Sequence, residues 1–273
     1  MKFLQYNNIQ IPRLGLGSYK VDVPTISTMV QLALAEGYRH LDTAQLYKNE
    51  EGVGDGIQES GVPRDDIFLV TKIFNDNFAP KDFIPSFENS LRKLKTDYVD
   101  LLLIHWPDLE VPMESSLLDL MKIYEQGKTR LVGVSNFNIH QLGKALDFGV
   151  PVFTNQVEFH PLIDQTTLVN FMNEKNISLT AYAPLARGHA TKNPTLQAIG
   201  KKYDKSAAQV CLRWMMQLDN VIAIPKTITP HRLRENIEVF DFELSEKDMA
   251  LISGLSHINE RYFKAILGAV WDD

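Results

Sequence analysis

Short apolar runs alternate along the chain with longer segments whose apolar residues recur at helical spacing. The runs are RHLD, IFLVTK, YVDLLLIHW, RLVGVSN, PVFTNQVEF, ISLTAYAP and VIAIPK. Between them the spacing predicts helices, among them 25–36, 81–94, 117–126, 166–175 and 206–216. This alternation is typical of repeated βα units and a parallel sheet.

Counting the LGLG segment as the first strand gives eight strands, so the pattern predicts an α/β fold, a (β/α)₈ TIM barrel. The opening FLQYNNIQIP predicts a β-hairpin that turns at Asn7-Asn8 and caps the barrel bottom, because Asn tolerates the positive φ of a tight turn. No linker or composition shift divides the 273 residues, so we expect residues 1–273 to form a single barrel domain.

Composition and charge exclude several classes of protein. Apolar residues make up 44% of the chain and charged residues 23%, as in globular proteins, and the net charge is −6. A chain with net negative charge is not expected to have the extended positive surface that binds nucleic acid or an anionic membrane. Neither a signal peptide nor an apolar stretch of about 18 residues is evident, so we expect a cytoplasmic protein, as a monomer.

Cysteine and histidine give no metal signal. Cys211 is the only cysteine, which excludes an internal disulfide, and its apolar surroundings in AAQVCLRWMM favour a buried structural thiol. The seven histidines form no HExxH pair, and His40-Leu41-Asp42 alone is a weak signal. We therefore predict no metal site.

Polar residues end the apolar runs, and in a barrel the carboxyl ends of the strands meet at one mouth, where such enzymes build their sites. Each residue alone could equally be a polar cap at a strand end; together they predict a site. The residues are Asp42, Lys72, His105, Asn136, Gln156, Tyr182 and Lys226.

Four residues could form a proton-donating group. A phenol has a pKa of about 10, and an ammonium at Lys72 would lower the pKa of Tyr47, with Asp42 as the counterion of Lys72. His105 could hydrogen-bond the same reacting oxygen. The group suits protonation of a carbonyl oxygen while hydride reaches its carbon. If each residue is considered alone, the simpler interpretation is that Tyr47 packs on a loop and that His105 caps the end of a strand.

Three motifs in order resemble those of the aldo-keto reductases along nearly the whole chain. They are GYRHLDTAQLYKNE with Asp42 and Tyr47, DLLLIHWP with His105, and IPKTITPHRLREN. The chain most resembles the bacterial 2,5-diketo-D-gluconate and methylglyoxal reductases. The resemblance implies NADPH-dependent reduction of small-molecule aldehydes and ketones, with Tyr47 as general acid, Asp42 and Lys72 tuning it, and His105 orienting the carbonyl.

The resemblance also implies where the cofactor binds. Ser135, Asn136 and Gln156 would hold the carboxamide, and Tyr182 would stack on the nicotinamide. Lys226, Thr227 and Arg232 would bind the 2′-phosphate, unless this segment is only a solvated, charged helix start. The other implied cofactor residues are Gly17, Ser18, Tyr19, Asp42, Pro184 and Leu185, with Glu235 and Asn236 at the adenine. A Rossmann domain is unsupported, because GVGDG and GLGS do not complete its fingerprint.

Candidate substrate-binding residues are mostly aromatic, although any one of them could be core. They are Tyr19, Tyr47, Phe74, His105, Trp106 and Trp271. Phe74 stands where many relatives have tryptophan, and Arg187 of PLARGH could contact a cofactor phosphate or an acidic substrate. The short tail ending in GAVWDD suggests an open pocket that accepts small carbonyls broadly.

Two other functions stay open on this chain. One is a redox-sensing or channel-associated binding module that keeps the barrel and cofactor. The other is a cofactor-free barrel enzyme or lens-type structural protein. The four-residue group favours the reductase.

Overall fold

Parallel strands form the centre of the molecule in the computed structural model, which describes residues 2–108, 110–263 and 271–272. Strands β1 (Phe3–Tyr6) and β2 (Ile9–Pro12) form a separate antiparallel hairpin. The parallel strands are β3 (Leu16–Gly17), β4 (His40–Asp42), β5 (Phe68–Ile73), β6 (Val99–Ile104), β7 (Thr129–Ser135), β8 (Val152–Glu158), β9 (Ser178–Tyr182) and β10 (Val221–Ala223). Strands β3 to β10 pair in chain order, each parallel to the next.

The sheet closes on itself where its first and last strands meet. The N–H of Gly15 donates to the Ala223 carbonyl at 2.9 Å, and the N–H of Ala223 donates to the Arg13 carbonyl at 2.8 Å. Gly17 N–H donates to the Pro225 carbonyl at 3.1 Å. The predicted (β/α)₈ barrel is therefore confirmed.

At least one helix follows each of the barrel strands β3 to β10. The helices are α1 (Val23–Ala35), α2 (Glu50–Ser60), α3 (Phe83–Leu94), α4 (Met113–Glu125), α5 (Ile139–Asp147), α6 (Thr166–Glu174), α7 (Pro194–Tyr203), α8 (Ala207–Gln217), α9 (Pro230–Ile237) and α10 (Glu246–Ser253). All five helices predicted from spacing are present, within four residues at each end. The helix α8 begins where Ser206 and Gln209 form a capping box, which satisfies N–H groups that the first turn leaves free.

The hairpin of β1 and β2 closes the amino end of the barrel. Asn7 takes the positive φ of the turn, 51°, as predicted. Leu4, Tyr6 and Ile9 pack against an apolar layer inside the barrel at the amino ends of its strands. That layer consists of Phe68, Val70, Leu101, Leu103, Leu131, Phe153 and Ile222 of the barrel strands, together with Ile11 of β2. The predicted cap at the barrel bottom is thus observed.

Inward positions become polar toward the other end of the barrel. Because side chains alternate along a strand, Lys72 follows Val70 on the inner face of β5, and His105 follows Leu103 beyond the end of β6. Among the described residues, no helix is long and apolar enough to cross a membrane.

Candidate active site

Lys72 lies at the centre of the predicted group and is fully buried. Its Nζ donates to Asp42 Oδ1 at 2.6 Å and to the Thr43 carbonyl at 2.8 Å. The same nitrogen lies 3.4 Å from Tyr47 Oη. A buried ammonium needs such partners, because an unpaired charge inside a protein is costly. The Thr43 carbonyl was missed in the sequence, where backbone acceptors leave no signal.

The segment after β4 carries the phenol over this ammonium. Strand β4 ends at Asp42, and a short 3₁₀ helix, Gln45–Tyr47, turns the chain back. Gln45 holds that turn against the next loop, since its Oε1 accepts from Phe74 N at 3.1 Å. The five-residue gap between Asp42 and Tyr47 therefore lets both side chains reach Lys72.

His105, directly after β6, faces the phenol. Its ring centroid lies 5.6 Å from that of Tyr47 at an interplanar angle of 77°, and Asn136 Nδ2 donates to the His105 carbonyl at 3.1 Å. His105 Nδ1 is buried and has no hydrogen-bond partner within the described part of the chain. Buried polar atoms are normally paired, so this nitrogen is an exception among the buried polar atoms of the site.

Burial controls the ionisation of the group. Burial is the main cause that raises the pKa of Tyr47 well above 10, and the negative charge of Asp42 adds to this effect. The lowered phenol pKa expected from Lys72 is therefore wrong for this structure. Burial lowers the pKa of His105 well below 6.5, and the positive charge of Lys72 lowers it further. Burial lowers the pKa of Lys72, against the opposing effect of Asp42. The site thus holds a protonated phenol and a neutral imidazole at neutral pH.

A hydrogen-bonded chain extends the site across the barrel. Gln156 Nε2 donates to Asp42 Oδ2 at 2.8 Å, and Ser135 Oγ donates to the Gln156 carbonyl at 2.8 Å. Tyr182 Oη donates to Asn136 Oδ1 at 2.8 Å. The prediction that Gln156 ends its strand is wrong, because β8 continues to Glu158. Its side chain nevertheless joins the mouth.

A cleft of about 810 Å³ runs over this group and along the mouth. The predicted cofactor residues all line it: Gly17, Ser18, Tyr19, Asp42, Ser135, Asn136, Gln156, Tyr182, Pro184, Leu185, Lys226, Thr227, Arg232, Glu235 and Asn236. Lys226 and Arg232 are exposed at one end, whereas Glu235 accepts a hydrogen bond from Ser206 Oγ. The basic end of the cleft is thus open to an anion.

The predicted substrate residues divide into two groups. Tyr19, Tyr47, His105 and Trp106 line the cleft. Phe74 and Trp271 do not line it, but each packs against a residue that does: Phe74 lies 5.7 Å from His105, and Trp271 lies 5.9 Å from Trp106, between ring centroids. Of the GAVWDD tail, residues 268–270 and 273 lie outside the described residues.

Several lining residues were not predicted, namely Lys20, Leu46, Thr191, Lys192, Gln197 and Phe263. Lys192 and Gln197 follow β9 in a segment without a strand pattern, and Phe263 lies far from the other site residues in sequence. Arg187, at φ 52°, also lines the cleft. No group of three or more metal-binding side chains occurs among the described residues.

Comparisons with known proteins agree with this geometry. The model of the Aldo/keto reductase family matches residues 13–257. Glyoxal reductase of Bacillus subtilis (strain 168) is 44% identical over 92% of this chain and 91% of its own length. Methylglyoxal reductase DkgA of Yersinia pestis is 39% identical over 92% of this chain and 91% of its own.

A solved structure shows the same fold. The crystal structure of a protein provisionally described as a 2,5-diketo-D-gluconic acid reductase B superposes with a TM-score of 0.97 at 42% identity, covering 100% of this chain and 98% of that one. The likeness therefore extends through the whole barrel.

Proposed function

The chain belongs to the aldo/keto reductase family, and on that premise we propose that it reduces aldehydes and ketones to alcohols with NADPH. The proposed substrates are aromatic aldehydes and small dicarbonyls such as methylglyoxal or 2,5-diketo-D-gluconate. The observation that carries the proposal is the Tyr47 phenol, 3.4 Å from the buried Lys72 ammonium and facing His105 across the cleft.

The proposed chemistry combines a hydride with a proton. NADPH, when bound, supplies the hydride that adds to the carbonyl carbon. Tyr47 donates its proton to the carbonyl oxygen, so the C=O bond becomes a CH–OH group and the phenol becomes a phenolate. Lys72 lies close enough to stabilise that phenolate, and Asp42 compensates the charge of Lys72. The neutral imidazole of His105 orients the carbonyl by a hydrogen bond.

The chemistry of the cleft fits this cofactor. Ser135, Asn136 and Gln156 offer neutral amides and a hydroxyl beside the phenol, as a carboxamide requires. Tyr182 offers a ring face for stacking. Lys226 and Arg232 offer positive charge for a 2′-phosphate, which NADH lacks. A cytoplasmic monomer stays a prediction.

A carbonyl panel assayed with NADPH and NADH in parallel tests the proposal. We expect turnover of methylglyoxal and an aromatic aldehyde with NADPH, followed by cofactor absorbance. Tyr47→Phe should lower kcat by about 10²–10⁴-fold, the usual contribution of a positioned proton donor. The matched control is Tyr98→Phe, which removes a hydroxyl bonded to Asp65 beside the amino end of β6 and should keep full activity. NADPH binding without turnover, or full activity in Tyr47→Phe, would contradict the proposal.

A further inference from the structure

Glu158, the last residue of β8, is a buried carboxylate that the proposed chemistry does not use. It is 0% exposed. Its Oε1 accepts from the backbone N–H of Tyr262 at 2.8 Å and from His160 Nε2 at 3.1 Å, and its Oε2 accepts from the backbone N–H of Phe263 at 3.0 Å. A barrel side chain therefore holds two consecutive peptide groups of a segment more than 100 residues away in sequence.

The donors around Glu158 require an acceptor on both oxygens. His160 Nδ1 accepts from Leu162 N at 3.2 Å, so the proton of the ring lies on Nε2, which points to Glu158. The carboxylate thus faces three N–H groups, and it is an acceptor at every position. A glutamine in its place would turn an N–H₂ group toward one of these donors, and that hydrogen bond would be lost.

The anchored residue Phe263 forms part of the cleft wall. Its ring centroid lies 5.2 Å from that of Tyr182 and 5.9 Å from that of Tyr19, and the Arg187 guanidinium lies 5.5 Å from the same ring. Tyr19 in turn packs 5.1 Å from Tyr47, between centroids. Phe263 is therefore one aromatic contact away from the proposed proton donor.

We propose that Glu158 is a positioning residue that fixes Phe263 as a wall at the carbonyl end of the cleft, and that Phe263 sets the size of substrate that reaches Tyr47. The inference rests on the proposed function, since it concerns substrate choice at the same site. Glu158 binds the backbone and leaves the Phe263 side chain to define the space. Aromatic walls of fixed position discriminate between substrates by shape.

Amide hydrogen exchange tests the anchor without any turnover. In Glu158→Gln, the peptide that contains Tyr262 and Phe263 should exchange about tenfold faster than in the wild type, because its amides lose a buried acceptor. The matched control is Glu174→Gln, an exposed carboxylate at the end of α6, which should leave that exchange unchanged. Unchanged exchange in Glu158→Gln would overturn the proposed anchor.

Kinetics test the consequence for substrate choice, with methylglyoxal as the small substrate and an aryl ketone as the bulky one. Phe263→Ala should raise KM for methylglyoxal about tenfold with a smaller change in kcat, and should raise the ratio of kcat/KM for the bulky ketone to that for methylglyoxal. Glu158→Gln should also raise KM for methylglyoxal and the ratio of kcat/KM for the bulky ketone to that for methylglyoxal. The double variant should lose no more kcat/KM for methylglyoxal than Phe263→Ala alone, because Glu158 acts through Phe263.

Additive losses in the double variant, or an unchanged size ratio in Phe263→Ala, would overturn the inference. Phe263→Ala leaves the carboxylate in place, so the size ratio can be measured even where Glu158→Gln fails to fold. A wild-type protein that reduces no carbonyl would contradict the proposed function instead, while the exchange experiment would still decide whether Glu158 holds the segment.

Discussion

Asp42 uses its two oxygens for different partners on different strands. Oδ1 accepts from Lys72 of β5 and Oδ2 accepts from Gln156 of β8, at 2.6 and 2.8 Å. Removing one partner of a buried ion pair costs about 3–5 kcal/mol of stability, because the other charge stays buried and unpaired. Variants of Asp42 or Lys72 would therefore mix loss of folding with loss of chemistry. Tyr47→Phe is the cleaner probe of the proton transfer.

The ionisation of two residues predicts the pH dependence of carbonyl reduction. Reduction needs the protonated phenol, and burial raises the pKa of Tyr47 well above 10, so the proton stays in place as pH rises through neutrality. The pKa of His105 lies well below 6.5, so its imidazole stays neutral as pH falls to 6. We expect kcat/KM for methylglyoxal with NADPH to change less than about threefold between pH 6 and 9.

The measurement is a series of initial rates with the non-enzymatic loss of NADPH subtracted at each pH. Circular dichroism at the same pH values checks that the protein remains folded. A tenfold fall in kcat/KM between pH 6 and 9 would show that a group of the site titrates in this range, contrary to the expectation.

At the scale of elements, the repeating apolar patterns of the sequence predicted strands and helices, whereas the contacts between elements could not be predicted from it. Apolar runs predicted the barrel strands, and one-sided spacing predicted helices such as α3 and α8, because both patterns come from burial on a repeating backbone. The helix α2 was not predicted: its GVGDG segment looked like a fragment of a nucleotide loop. Those glycines instead lie inside the helix, a role set by neighbours that are distant in sequence.

The glycine at position 54 shows why α2 needs them. A Cβ at Gly54 would lie 2.5 Å from the Lys93 carbonyl oxygen and 2.8 Å from the Leu94 carbonyl carbon, and both are backbone atoms that cannot rotate away. Alanine would gain about 1 kcal/mol in helix propensity, whereas overpacking costs about 1–3 kcal/mol. The overlap with rigid backbone should prevail, so Gly54→Ala should lower the free energy of unfolding by up to about 2 kcal/mol.

The matched control for this prediction is Gly143→Ala in α5. A Cβ there would meet nothing within 4 Å, so the substitution should stabilise the protein by up to about 1 kcal/mol. Urea unfolding of both variants gives the two free energies. Stabilisation by both substitutions would show that helix propensity, and not contact with α3, decides the outcome at position 54.

At the scale of the whole molecule, barrel closure brings together residues from the two ends of the sequence. Pairing of the β3 and β10 segments sets Gly17 and Ser18 beside Lys226 along one cleft. The family resemblance implied that these residues share one site, whereas the apolar runs predicted only the barrel that brings them together. The position of Phe263 was not predictable, because it depends on contacts with residues distant in sequence, among them the Glu158 carboxylate and the Tyr182 ring. Neither periodicity nor spacing marks such contacts.

A cofactor that spans this cleft should stabilise the entire barrel. At a concentration about 100 times its Kd, NADPH would add about 2.7 kcal/mol of stability, which corresponds to a rise in Tm of roughly 5 °C or more for a chain of this size. NADH lacks the 2′-phosphate and would lose charge-assisted hydrogen bonds worth about 1.5–3 kcal/mol. At the same concentration its shift in Tm should therefore be only about 1–3 °C.

Thermal unfolding of two arginine variants locates the source of this difference. Arg232→Ala should bring the NADPH shift down toward the NADH shift and leave the NADH shift as it was, because only the phosphate contact is removed. The control is Arg234→Ala in the same helix α9, an exposed residue within 4.0 Å of Glu36 and Glu238, which should keep the full difference between the cofactors. Equal shifts for NADPH and NADH in the wild type, or an equal loss of both in Arg232→Ala, would contradict phosphate binding at this end of the cleft.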